Sequence, residues 1–115
     1  MGAVGNLMTL SGLLDLVTTQ PELAAALEHS SGDADLIAPA AMRPFAVAAL
    51  ARRRPVLAVT ATDREAEDLA AALTSLLDED LVAIFPAWET LPHERLSPRS
   101  DTVGRRIAVM RRLAH

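Results

Sequence analysis

The spacing of apolar residues changes several times along the chain, and each change marks an element. Between Leu7 and Val17, apolar residues at 10, 13, 14 and 17 recur at helical spacing. Thr19-Gln20-Pro21-Glu22 has the form of a capping box with proline in the first turn, which predicts a second helix through Leu23 and Leu27. That helix ends before Ser30-Ser31-Gly32-Asp33, so residues 1–34 read as a helical hairpin leading into the rest. Three short apolar runs follow, at Asp35–Pro39, Pro55–Thr60 and Leu81–Phe85. The second is apolar almost throughout, as expected of a strand covered on both faces. Between the runs the helical period returns. Met42–Arg54 reads as a helix with Pro44 in its first turn and Arg52-Arg53-Arg54 at its C-terminal end, where cations complement the dipole. Thr62-Asp63-Arg64-Glu65 is another capping box. The helix it opens carries Ala66, Leu69, Leu73, Leu76 and Leu77 on one face, with Arg64, Glu67, Asp68 and Ser75 on the other. Ser100 or Asp101 caps a last helix, with Val103, Ile107, Met110 and Ala114 opposite Arg105 and Arg112.

Strand runs alternating with helices of this length predict an α/β fold with a three-layer parallel sheet over residues 35–115. Ligands of such sheets bind beyond the carboxyl ends of the strands. That directs attention first to the turn after the first run.

The stretch after the third run, Phe85-Pro86-Ala87-Trp88-Glu89-Thr90-Leu91-Pro92-His93-Glu94-Arg95-Leu96-Ser97-Pro98, holds the chain's one tryptophan and three of its seven prolines. Prolines so placed exclude a helix and hold each preceding residue in extended conformations. The expected structure is a long, rigid excursion tacked to the body by Trp88 and Leu91. Glu89, Glu94 and Arg95 suit local ion pairs that hold it, and Pro92 stiffens it. The plain alternative is a surface loop with one aromatic anchor.

The turn after the first run, Ala38-Pro39-Ala40-Ala41-Met42-Arg43-Pro44, stands where a phosphate loop would be. A phosphate loop needs glycines to aim backbone N–H groups at phosphates, a lysine for the terminal phosphates and a hydroxyl for magnesium. This turn has none of these, and its two prolines remove donors. Thr60 and Thr62, after the second run, could reach a nucleic-acid backbone through their hydroxyls, but Thr62 reads better as a helix cap.

Composition sharpens these readings. All eleven basic residues are arginine, so no lysine is available anywhere for phosphate chemistry, and with the alanine load this suggests a GC-rich bacterial genome. Half the residues are apolar while aromatics make up only 3%, so the core must be built from Ala, Leu and Val. The net charge of -4 argues against nucleic-acid binding as the chain's main role. With no cysteine there is no disulfide or thiolate metal site, and a reducing cytoplasm is the simplest location. Residues 1–10 lack the basic start and long apolar run of a signal peptide, and no stretch has the length of a membrane span. His93-Glu94 opens like a zinc-protease motif, but the second histidine is missing, and His29 and His115 are remote. No catalytic residue, metal site or cofactor site is expected in this chain.

The tract Trp88-Glu89-Thr90-Leu91-Pro92, then Glu94-Arg95-Leu96-Ser97-Pro98, Asp101, Arg105-Arg106 and Leu113, resembles the N-terminal region of the bacterial transcription-repair coupling factors (Mfd). The resemblance extends back through Thr60–Ala66 to Leu36–Pro39 and covers about 36–114; the first 35 residues match only as a helical lead-in. It implies a UvrB-like module whose first domain has a helicase-like, P-loop-like fold with a degenerate phosphate loop. It also implies a parent protein that is an ATP-driven DNA translocase, with ATP and Mg in its motor domains. That parent displaces stalled RNA polymerase at lesions and recruits excision repair through the damage-recognition ATPase (UvrA). By the same resemblance the recruiting surface lies in the adjacent domain, and the polymerase and DNA contacts lie further on. This chain is then a non-catalytic scaffold that contacts the remaining domains. Two other readings stay open: a divergent helicase-like ATPase lobe that takes its lysine from a partner lobe, and a free-standing α/β interaction domain.

Overall fold

The computed structural model describes residues 11–28, 32–33, 35–88 and 99–115. Among them are five α-helices: α1 (Ser11–Thr18), α2 (Pro21–Glu28), α3 (Arg43–Ala51), α4 (Asp63–Leu76) and α5 (Ser100–Ala114). Single 3-10 turns stand at Ala40–Met42 and Glu79–Leu81.

Local chemistry sets some helix ends, though α5 starts after Arg99 without the side-chain cap expected of Ser100 or Asp101. At α4 the extended Thr62 accepts a hydrogen bond on Oγ1 from the Glu65 N–H at 3.2 Å, and Glu65 Oε2 accepts from the Ala61 N–H at 3.1 Å. This is close to the box its sequence predicts, except that the Glu65 carboxylate reaches the N–H one residue before the cap; Asp63 and Glu65 are favourably placed in the first turn. Pro44 occupies the first turn of α3, where its missing N–H costs no hydrogen bond. Thr19, expected to open the second helix, instead helps to close the first. Its hydroxyl donates to the Leu16 carbonyl at 2.6 Å, and α2 begins at Pro21.

The core is helix on helix. Leu14, Leu27, Ala48, Ala49, Leu73 and Leu76 are buried together, with Leu23, Phe45, Val47, Leu50, Leu69, Leu77 and Val82 packed against them. The α4 face expected to be apolar supplies Leu73 and Leu76 and half-buried Leu69 and Leu77, while Arg64, Glu67 and Asp68 are exposed. α1 packs on α2, α3 and α4, so the helical lead-in shares one core with the helices that follow it. An ion pair from Arg52, just after α3, to Asp15 on α1 closes one end.

The predicted sheet is absent. Among the described residues there is no strand, so the α/β, three-layer parallel-sheet architecture is not this chain's fold, nor is the helicase-like, P-loop-like lobe implied by resemblance. The runs 35–39 and 55–60 form no regular secondary structure, and the third starts inside the Glu79–Leu81 turn. Their side chains are largely on the surface: Ile37 is fully exposed, Leu57 and Val59 are each 85% exposed and Leu81 is 70% exposed. The physical reason lies in what a strand requires. An extended segment is stable as a strand only when neighbours complete its backbone ladder and layers cover its faces. Here the helices α1 to α4 pack chiefly on one another, and of the three runs Val82 alone, among the described residues, packs against their core. The radius of gyration is 16.6 Å, against about 13 Å for a compact domain near this length.

Candidate functional site

The most organised polar arrangement joins α5 to the segment 80–88. The turn at Glu79–Leu81 delivers the chain into an irregular stretch in which Val82, Ile84 and Pro86 are half-buried while Phe85 and Trp88 are more exposed. α5 lies alongside. It has no buried residue, and its half-buried positions are Thr102, Val103, Arg106 and Val109. Arg106 is the centre of the contact. Its guanidinium carbon stands 3.9 Å from the Phe85 ring centroid and 4.2 Å from that of Trp88, and its Nη1 donates to the Pro86 carbonyl. Six residues further along, Arg112 donates through Nη2 to the Asp80 carbonyl and through Nη1 to the Val82 carbonyl at 3.5 Å. Every partner in this set is neutral: three backbone carbonyls and two π-faces. The planar arginine head can stack and donate at once, which a lysine cannot do. Such cation–π contacts contribute roughly 0.5–1 kcal/mol at exposed sites and more when desolvated.

A depression of about 170 Å³ lies beside this contact, lined among others by Asp63, Glu67, Phe85, Pro86 and Arg105. A second, of about 210 Å³, is lined by Leu27, Leu36, Leu50 and Arg54 among others. Both are smaller than the roughly 300–1,000 Å³ of small-molecule sites, and both are open to solvent. Among the described residues, no group of three His, Asp or Glu side chains could hold a metal ion.

The turn at 38–44 is built from its own hydrogen bonds. Pro39 is extended, the Met42 N–H donates to the Pro39 carbonyl at 2.9 Å and the Arg43 N–H donates to the Ala40 carbonyl. Ala38, Pro39, Ala40, Ala41 and Arg43 are exposed, while Met42 and Pro44 are half-buried. The hydroxyls considered for nucleic-acid contact are engaged at the α4 start: Thr62 caps, and Thr60 donates to the Thr62 carbonyl at 2.9 Å. Of the loop residues, Trp88 is described and 48% exposed. Glu89, Leu91, Pro92, Glu94 and Arg95 lie outside the described residues. Arg106, which the helical wheel alone does not single out, is the residue that Phe85 and Trp88 meet. A signal was present: two of the three aromatic residues of the chain stand at 85 and 88, ahead of an arginine-rich helix.

No family model matches the chain. Two curated proteins do, the transcription-repair-coupling factors of Mycobacterium bovis and of Mycobacterium tuberculosis. Each is 50% identical over 109 residues, spanning 92% of this chain. The chain is homologous to a segment of the transcription-repair-coupling factors. It spans 9% of the length of those coupling factors. At 92% of the chain, the similarity reaches beyond residues 36–114 into the helical lead-in, so α1 and α2 are not a mere appendage to a coupling-factor motif. Among the described residues, no helix is long and apolar enough to cross a membrane.

Proposed function

We propose that this chain serves as a non-catalytic, N-terminal scaffold of a cytoplasmic transcription-repair coupling factor. The observation that carries the reading is the 50% identity over 109 residues to two such factors. In this reading the parent protein displaces stalled RNA polymerase at DNA lesions by ATP-driven translocation and recruits excision repair through the damage-recognition ATPase. The catalytic work lies elsewhere in the parent. A chain without a single lysine lacks the residue that a phosphate loop uses at the terminal phosphates of a nucleotide, which supports the scaffold role. Its helical core, with apolar residues such as Leu57 and Leu81 left on the surface, suits a unit that packs against other parts of a larger protein.

The test uses a full-length coupling factor carrying this segment, compared with the same protein lacking it. DNA-stimulated ATP hydrolysis is expected to survive the deletion, while thermal stability and capture of the repair ATPase decline. Abolished hydrolysis in a protein that remains folded would place part of the catalytic machinery in this segment and overturn the scaffold reading.

A further inference from the structure

We propose that Arg106 and Arg112 form a two-point clasp that holds α5 as a separable strap across the 80–88 segment, with Arg106 the dominant point. Three observations carry this. First, α5 contributes no buried residue, whereas the core is formed by α1 to α4. A helix docked without buried apolar side chains depends on its polar contacts to a degree that α4, with Leu73 and Leu76 buried, does not. Second, the contacts fall at two points of the helix, its middle and its last turn: Arg106 meets Phe85, Trp88 and the Pro86 carbonyl, and Arg112 meets the carbonyls of Asp80 and Val82. Two anchors this far apart fix the direction of α5 as well as its position. Third, the carbonyls of Asp80, Val82 and Pro86 belong to a stretch without strand pairing, and the arginines satisfy acceptors that would otherwise need water or another partner.

Because all of these partners are neutral, the clasp differs from a surface ion pair in its response to salt. Screening weakens attraction between opposite charges but leaves hydrogen bonds to carbonyls and stacking on rings largely in place. The strap also opens as a unit. Regions with little buried apolar surface exchange their amides through local opening, independently of the core.

The experiment is amide hydrogen exchange on the whole chain, compared with Arg106→Ala, Arg106→Lys and Arg112→Ala, with Trp88 emission read on the same samples. In Arg106→Ala, exchange across 100–114 is expected to rise at least about tenfold while 63–76 keeps its protection, which shows the core still folded. Trp88 emission shifts to the red in the same variant. Arg106→Lys retains the charge but loses the planar stack, and it should recover only part of the protection. Arg112→Ala should affect the C-terminal half of α5 more than its start. Raising the salt concentration should leave the wild-type pattern nearly unchanged. Unchanged exchange over 100–114 in Arg106→Ala would show that Val103 and Val109 hold the helix unaided. Equal loss of protection in 63–76 would show that α5 belongs to the core. Full recovery by Arg106→Lys, or release of α5 by salt alone, would mean charge and not stacking makes the contact. Each of these four results overturns the clasp.

Discussion

At the scale of single residues, the side chains fall into two groups with different energetics. Leu14 is fully buried among helices, and truncation of such a leucine removes both transfer free energy and packing. Trp88 is 48% exposed with one face against Arg106, so its large ring contributes only part of its potential. Trp88→Ala should therefore cost about 1–2 kcal/mol, well short of the ~3–5 kcal/mol of a fully enclosed tryptophan. Urea unfolding followed by far-UV circular dichroism measures the difference, and a loss above that range would mean the ring is enclosed. The Arg52–Asp15 pair makes a useful contrast. The Asp15 carboxylate is largely exposed, so Asp15→Ala should change stability by less than about 1 kcal/mol. A larger drop in the same unfolding curves would show that this pair anchors α3 to α1.

At the scale of elements, the helix readings hold and the three strand readings fail, since the described residues contain no strand. The difference is physical. The α4 signals are local: a box at 62–65, acids in the first turn and leucines at 69, 73, 76 and 77. All act within a few residues of themselves, and the structure reproduces them. An apolar run such as Val56-Leu57-Ala58-Val59 carries no such closure, because its conformation depends on distant segments that pair with it or cover it. The contact of α5 escaped for the same reason. Arg106 meets residues about twenty positions earlier, and a helical wheel records neighbours only within its own helix. Even among caps, Thr19 shows that a correct residue type can serve the wrong neighbour, since its hydroxyl turns back to Leu16. Thr62 is the case where signal and structure agree, so its removal should be felt. Thr62→Ala leaves the Glu65 N–H without its acceptor and should destabilise by about 1 kcal/mol, while Thr62→Ser should be nearly neutral. Equal stability of the alanine and serine variants in thermal melts would mean that Glu65, bonding to the Ala61 N–H, holds the helix start by itself.

At the scale of the whole molecule, the surface chemistry defines what the chain does by itself. Nucleotide affinity at a phosphate cradle comes from aimed N–H groups and a lysine. In the 38–44 turn the Met42 and Arg43 N–H groups close on Pro39 and Ala40, and the chain has no lysine. Titration of the chain with a fluorescent ATP analogue and magnesium should show no binding tighter than ~100 μM. Tighter, saturable binding would revive the divergent ATPase reading. Duplex DNA should also fail to bind at physiological salt, because phosphate neutralisation needs several cations on one face and the net charge is -4. The exposed apolar residues have the opposite consequence. Ile37, Leu57, Val59, Leu81 and Leu113 all face solvent, large apolar side chains of a kind that folded proteins more often bury. Alone, the chain should self-associate, with a sedimentation coefficient that rises with concentration. Polar substitution at Leu57 and Val59 should lessen this without loss of helix content, since neither residue belongs to the helical core. Fused within a coupling factor, the same residues should become protected from solvent, as oxidative footprinting of the full-length protein would reveal. A chain that stays monomeric at every concentration and captures the repair ATPase unaided would instead place a partner-binding surface on these 115 residues, and the scaffold reading would fall with it.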